Sequence, residues 1–406
     1  MSRADERLVD GWQDGFGPTA SRVLSVAAGG YRGLLGTRDW LYTLGVLKSH
    51  RLGCPVVSIG NLTVGGTGKT PAVELAVRTL IELDHRPAVV SRGYGRRTHG
   101  IQIVADAASI RLDAEEGGDE PFLLARRLPG VLSRGYGRRS SGVQIVADAA
   151  SIRLDAEEAG DEPFLLARRL PGVPVVVGPN RYEAGRVARA RFGVTAIVLD
   201  DGFQHRTLAK DVEIVMARAR APWGNGRLLP GGPLREPLSA LGRAALIVVT
   251  GADGPHDVAE VAEAARRHAP GTPVLAARHV PTECWEVGSM KEQPLTSLLG
   301  KRLFGFAGIG SPDGFRRTLA ETGVIETGFA RFADHHWYTR EDLRDLDAAA
   351  AARGADGLVT TEKDWVRLRR LPVTRRPIYA LGVRLVLLSG EAAWRSAFTA
   401  SAAHRA

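Results

Sequence analysis

Residues 59–71 read Ile-Gly-Asn-Leu-Thr63-Val64-Gly65-Gly66-Thr67-Gly68-Lys69-Thr70-Pro. An apolar, β-branched run (55–59) precedes this stretch, and residues 71–83 after it read as a helix. In a strand, glycine loop and helix arranged this way, successive backbone N–H groups curl around phosphate oxygens. The helix N-terminus adds its positive dipole end. Lys69 is then expected to reach the β- and γ-phosphates, with the Thr70 hydroxyl on Mg²⁺. Thr63 stands where the pattern GxxxxGK[ST] has its first glycine, so one position of the motif is not met. Residues Thr63, Val64, Gly65, Gly66, Thr67, Gly68, Lys69 and Thr70 form the candidate nucleotide cradle.

Working outward, apolar runs at 87–90, 174–177, 194–199, 212–216 and 245–249 alternate with helical patterns. Buried β-branched runs separated by helices indicate an α/β fold, a P-loop NTPase-like and mostly parallel sheet flanked by helices. Pro, Gly and Thr around 281–300 suggest a connection into a smaller α/β second lobe. That lobe holds a run at 303–307, a Gly308-Ile-Gly310 turn, a helix from about Asp313, and strands near 357–360 and 378–381. The expected organisation is therefore an N-terminal segment (1–50), a P-loop core (51–280) and a C-terminal lobe (281–406).

Lys plus Arg number 54 against 45 Asp plus Glu, a net charge of +9 that favours an anionic partner: nucleic acid, a phosphorylated ligand or an acidic membrane face. The two cysteines, Cys54 and Cys284, are far apart and exclude a disulfide framework or a cysteine zinc site. No basic n-region leads into an apolar core, so a secretory leader is not expected. Residues 17–50 alternate apolar stretches with Arg22, Arg32, Arg38 and Lys48, and carry Tyr31, Trp40 and Tyr42. No uncharged run there approaches the roughly 20 residues of a membrane span. The pattern fits a helix lying in a membrane interface, or one packed on the protein's own core.

Three other segments carry chemistry. Residues 197–205 end an apolar strand in Asp200-Asp201-Gly-Phe-Gln204-His205, and a strand-end carboxylate is the Mg²⁺ partner a phosphate loop needs. Asp334-His335-His336 reads by itself as a surface loop, although Asp beside His suits acid/base work. Thr361-Glu362-Lys363-Asp364 has Lys directly before Asp, so it is not the guanine-reading [NT]KxD and gives no support to a GTPase. Val64 stands where membrane-associated partitioning ATPases have a lysine, which counts against that class.

In this order the blocks VGGTGKTP, SRGYGRR, GDEPFLLA, DDGFQHRTLAKDVEIV, NGRLLPGGPLREPL, FAGIGSP, DHH and TEKD resemble the tetraacyldisaccharide 4'-kinase family of lipid A biosynthesis, from about residue 20 to 395. The resemblance implies transfer of the γ-phosphate of ATP to the 4'-hydroxyl of a tetraacylated disaccharide 1-phosphate, with Mg²⁺. It implies an anionic lipid disaccharide as partner, no nucleic acid, and peripheral attachment at the cytoplasmic face of the inner membrane through the N-terminal segment. Lys69 and Thr70 take the nucleotide and metal roles, Asp200 and Asp201 the Mg²⁺ side, and Arg92, Gln204, His205 and Glu236 the pocket. The Asp of GDEP pairs with His335, which overturns the surface-loop reading of that histidine.

One feature departs from the family. Residues 91–131 recur at 133–173 with four substitutions, so GDEP occurs at Asp119 and Asp161, and SRGYG at Arg92 and Arg134. The first SRGYG follows the natural strand at 87–90. The second GDEP leads into the strand at 174–177, and Ala159 before it matches the family better than Gly117. The expectation is a hybrid site built from Arg92 and Asp161, with Asp119 as the alternative and roughly 42 residues looped out.

Overall fold

In a computed structural model of the chain the described residues are 12, 17–91, 101–104, 131–134, 143–147, 156–178, 180–287, 292–368 and 374–403. Arg92 and Asp119 lie outside them. The strands are β1 (Val56–Asn61), β2 (Pro87–Ser91), β3 (Ile101–Val104), β4 (Val131–Arg134), β5 (Val143–Ala147), β6 (Val175–Val177), β7 (Ala196–Asp200) and β8 (Val212–Arg218). They continue with β9 (Leu246–Thr250), β10 (Val274–Glu286), β11 (Glu292–Gln293), β12 (Arg302–Ala307), β13 (Ile325–Arg331), β14 (Gly357–Thr361) and β15 (Ile378–Leu387).

All lie in one sheet, ordered β13-β12-β14-β15-β10-β9-β8-β1-β7-β2-β6 and then the repeat strands, with β11 beside β10. Strands β10 to β6 along this order are parallel, and so are β13 to β15. The two halves meet where β10 and β15 run antiparallel. The break expected at 281–300 is therefore not a break in the sheet at its start. β10 continues through Pro281 to Glu286, and the register shifts between Pro281 and Glu283, an irregularity at which a strand tolerates proline.

Both faces of the parallel half are covered, which is why its runs are apolar throughout rather than alternating. One face packs Val57, Ile59 and Val198 against the helices Lys69–Glu82, Asp161–Arg169 and Glu391–Ala403. The opposite face packs Val56, Val90 and Ile197 against the helix Arg181–Phe192. The N-terminal helix Pro18–Thr43 buries Leu35 into a third cluster with Trp223 and Leu234. Its other side leaves Val23, Val26, Leu34 and Trp40 exposed. The two readings of this segment are thus not exclusive: one stripe packs and one does not. Among the described residues no helix is long and apolar enough to cross a membrane.

The duplication meets the sheet at one edge. Gln102 and Gln144, equivalent in the two copies, both register with Val177, and Ile103 and Ile145 both register with Val176. β6 gives its other edge to β2. An edge carries one row of hydrogen-bonding groups, so the two copies are redundant there. Deleting residues 92–133, which joins Ser91 to Arg134 and leaves one intact copy, should keep activity within about twofold and not lower the thermal midpoint, since shortening a loop changes closure entropy only slightly. Loss of activity on a folded background would show that the first copy is needed.

Candidate active site

The phosphate loop is held open from behind. Gly68 has φ 74° and starts the helix Lys69–Glu82; a Cβ there would lie 2.8 Å from the His279 ring, so only glycine fits. The front of the loop zips onto the LPGGPLREP segment: Val64 N–H donates to Pro233 O (2.8 Å), and Arg235 N–H to Leu62 O (2.7 Å). From the other half of the sheet, Gly310 packs on Gly66 so closely that a Cβ on Gly310 would sit 2.4 Å from the Gly66 nitrogen. The FAGIGSP block is thus the far wall of the loop.

Lys69 Nζ lies 3.4 Å from Asn61 Oδ1 and 3.5 Å from Asp201 Oδ1. Asp201 takes the left-handed backbone (φ 49°), and Arg235 Nη1 meets both its oxygens at 2.9 and 2.8 Å. Burial opposes the charge on Asp201, but Lys69 and Arg235 outweigh it and hold the carboxyl well below the usual range. Asp200, at the end of β7, behaves oppositely. Burial, helped by the nearby Glu162 and Asp201 charges, pushes it up to about 7. Its Oδ2 accepts from Ser91 Oγ (2.5 Å), while Oδ1 is buried without a hydrogen-bond partner, as is Thr67 Oγ1.

That orphaned oxygen fits a cation: a buried carboxylate that is strained by its own charge is relieved by Mg²⁺. Thr70, Asp200 and Asp201 are the side chains that would hold it. A measurable consequence follows from the raised pKa. The unfolded chain loses the Asp200 proton near its ordinary 3.8, the folded one near 7, so stability drains as pH rises between those values. Asp200→Asn, which keeps an acceptor for Ser91, should stabilise the metal-free protein at pH 8 by on the order of 2 kcal/mol, and the gain should shrink toward pH 5. Thermal melts at the two pH values check this; a lower midpoint at pH 8 would contradict it.

Opposite the loop lies a buried pair. Asp161, first residue of the helix Asp161–Arg169 and 4% exposed, places Oδ2 2.9 Å from His335 Nδ1. Burial raises its pKa, but His335, Lys363 and Arg367 prevail and keep the carboxyl well below the ordinary range. His335 has φ 62°, a left-handed conformation uncommon for histidine, with its N–H on Gly308 O (3.1 Å). Glu162, next to Asp161, lies 2.8 Å from Lys363 Nζ, and its carboxyl is held down, against burial, by Lys363 and His335, with a contribution from Lys69. Glu162 therefore sits within electrostatic reach of both the phosphate loop and the Asp–His pair.

The remaining candidates are less central. Gln204 Nε2 donates to Asn61 O (2.9 Å), against the back of the loop. His205 meets Thr207 Oγ1 at 2.7 Å. Glu236 is buried between Arg38 of the N-terminal helix and Arg243 (2.6 Å), so both its oxygens are committed to ion pairs. It touches the site through its neighbour Arg235, whose carbonyl accepts from Tyr31 of the same N-terminal helix (2.9 Å). Glu162, Arg235, Lys363 and Arg367 were not singled out by sequence; the first three stand inside the blocks GDEP, LREP and TEKD, and that adjacency was the available signal.

A phosphate cradle in the parallel half, beside a buried Asp–His pair to which that half gives Asp161 and the other half His335, is the plan of a P-loop phosphotransferase. The family model for Tetraacyldisaccharide-1-P 4'-kinase matches residues 20–131 and 128–402, so the chain belongs to that family. The match divides at the junction of the two repeat copies. A tetraacyldisaccharide 4'-kinase from Anaeromyxobacter dehalogenans (strain 2CP-C) is 41% identical over 362 residues, 88% of this chain and 84% of that one. One from Syntrophus aciditrophicus (strain SB) is 36% identical over 390 residues, 92% of each chain. Among solved structures, LpxK from Aquifex aeolicus in complex with ATP superposes with a TM-score of 0.66 at 27% identity, covering 94% of this chain and 99% of that one.

Proposed function

We propose that the chain is the ATP-dependent kinase that phosphorylates the 4'-hydroxyl of tetraacyldisaccharide 1-phosphate, giving lipid IVA. The observation that carries the reading is the Asp161–His335 pair at 2.9 Å facing a phosphate loop whose lysine is in place. Asp161, held ionised, accepts from Nδ1–H of His335 and fixes the tautomer that leaves Nε2 to take the proton. The acceptor oxygen forms a bond to the γ-phosphorus as the bridging oxygen to the β-phosphate leaves. Lys69 and the loop N–H groups hold the charge that builds on the transferring group. Thr70, Asp200 and Asp201 would hold Mg²⁺, which when bound would further neutralise phosphate charge. Arg92, Gln204, His205 and Glu236 belong to the same reading as pocket residues.

The N-terminal segment is the membrane element of the proposal, at the cytoplasmic face of the inner membrane. Its support is the exposed stripe of Val23, Val26, Leu34 and Trp40 beside the exposed Arg22 and Arg32. Replacing Val26 and Leu34 together by Asp should move the protein from sedimented anionic vesicles into the supernatant; unchanged sedimentation would remove this part of the reading. The activity itself is tested with labelled ATP, Mg²⁺ and the lipid acceptor in detergent. Label in the lipid product is expected, and ATP hydrolysis without lipid phosphorylation would overturn it.

A further inference from the structure

The TEKD segment, which reads no nucleotide base, has a different part in the structure. It begins the seven-residue helix Glu362–Leu368, and four of that helix's side chains grip one partner, the helix Asp161–Arg169 that carries the acid/base aspartate. At the partner's start, Lys363 Nζ lies 2.8 Å from Glu162 Oε1, and Arg367 Nε lies 3.6 Å from Asp161 Oδ2. At its end, Glu362 pairs with Arg169, and Trp365 lies 4.0 Å beneath the Arg168 guanidinium. Arg169 also reaches Glu74 of the phosphate-loop helix (2.9 Å), so the grip extends to the nucleotide side.

The same short helix holds the histidine. Arg367 Nη1 donates to Gly308 O (3.1 Å) and His336 O (3.2 Å), and that Gly308 carbonyl is the one accepting from His335 N–H. Asp364 Oδ1 accepts from Gly308 N–H (3.0 Å) and Tyr338 O–H (2.9 Å), while its Oδ2 accepts from Thr361 Oγ1 (2.6 Å). Arg367 and Asp364 are fully buried as side chains. An arginine committed to two carbonyls of the His335 loop while facing the Asp161 carboxylate spans the two halves of the pair. The left-handed backbone of His335 needs such a hold to persist.

We infer that Lys363 and Arg367 are positioning residues for phosphoryl transfer, the helix Glu362–Leu368 acting as a bracket that sets the Asp161–His335 geometry. The inference rests on the proposed role of that pair. Lys363 draws the Glu162 carboxylate away from its Asp161 neighbour, and Arg367 fixes the distance between Asp161 and the His335 backbone. Misplacing a proton acceptor by a fraction of an ångström to an ångström lowers turnover by up to about 10²-fold without altering binding.

The test uses the full chain with Lys363→Met, Lys363→Arg and Arg367→Lys. Because Arg367 is fully buried and its variant risks unfolding, Lys363, whose side chain keeps 20% of its surface exposed, carries the decision. Lys363→Met should lower kcat by about 10- to 100-fold with KM for ATP and lipid within twofold, and Lys363→Arg should recover most of it. In an Asp161→Asn background, Lys363→Met should cost little more, since the two act as a unit. A second readout needs no activity: the downfield Nδ1–H resonance of His335 in ¹⁵N-histidine-labelled protein, assigned with His335→Gln, should weaken or shift in Lys363→Met and Arg367→Lys. A rise in KM alone would make Lys363 a ligand contact and overturn the inference, as would an unchanged His335 resonance in both variants. If Asp161→Asn and His335→Gln keep full activity while the resonance still responds to Lys363, the catalytic role of the pair fails and the bracket stands as geometry.

Discussion

Lys69→Ala should leave the fold and the lipid affinity intact and lower kcat by about 10³-fold, roughly 4 kcal/mol of transition-state stabilisation. The reason lies in where the ammonium is held. It stands between Asn61 Oδ1 and Asp201 Oδ1 at 3.4 and 3.5 Å, distances that position it without tying it up. Arg235 meets both Asp201 oxygens at shorter range than Lys69 does, so a phosphate placed in the loop can draw the lysine toward it without leaving Asp201 unpaired. Single-turnover assays with saturating ATP separate the effect on chemistry from weakened binding. Activity within tenfold of the parent would remove the loop from the transition state. The helix Lys69–Glu82 is anchored independently through Ala72, Val73, Ala76 and Leu80, so the variant should melt close to the parent.

Asp161→Asn should lower kcat by about 10²- to 10⁴-fold, whereas Asp119→Asn should change it by less than twofold. Asparagine keeps the shape and an acceptor for Nδ1–H, but it removes the charge that favours proton uptake at His335. His335→Ala should fall to a similar level, and the double variant should be no worse than either single one, since the two work together. Stability at acid pH moves with the same residue. Asp161 titrates below its ordinary range when folded, so its contribution is present above pH 4 and is lost as the pH falls toward the folded value. Asp161→Asn should therefore flatten the loss of stability below pH 4. If Asp119→Asn abolishes activity and Asp161→Asn does not, the copies have exchanged roles. If neither single variant matters, each copy substitutes for the other.

Much of the parallel half was legible because its signals are local. A β-branched run, a glycine loop and a helix start within about fifteen residues of each other, and the expected strands at 87–90, 194–199 and 245–249 lie within two residues of β2, β7 and β9. The continuation of β10 past Pro281 was not legible, because proline argues against a strand unless a register shift absorbs it, and that shift exists only in the pairing with β15. β13 carries Thr327, Gly328 and Arg331 in a run with little β-branched character, so it gave no clear strand signal.

The site divides in the same way. Sequence by itself marked the phosphate loop, the strand-end carboxylates and, through the resemblance, His335 with Asp161 or its repeat counterpart Asp119, each motif recognisable from contiguous residues. The tertiary structure decided what joins them. Asp161 and His335 are 174 residues apart, and Lys363 and Glu162 are 201 apart, so no local pattern couples them. It also turned a failed guanine motif into the clasp on the helix Asp161–Arg169. Backbone geometry around a phosphate is written in neighbouring residues, because steric limits on φ and ψ act locally. Charge pairing across a sheet depends on which faces the whole chain brings together, and that is settled only when the chain is folded.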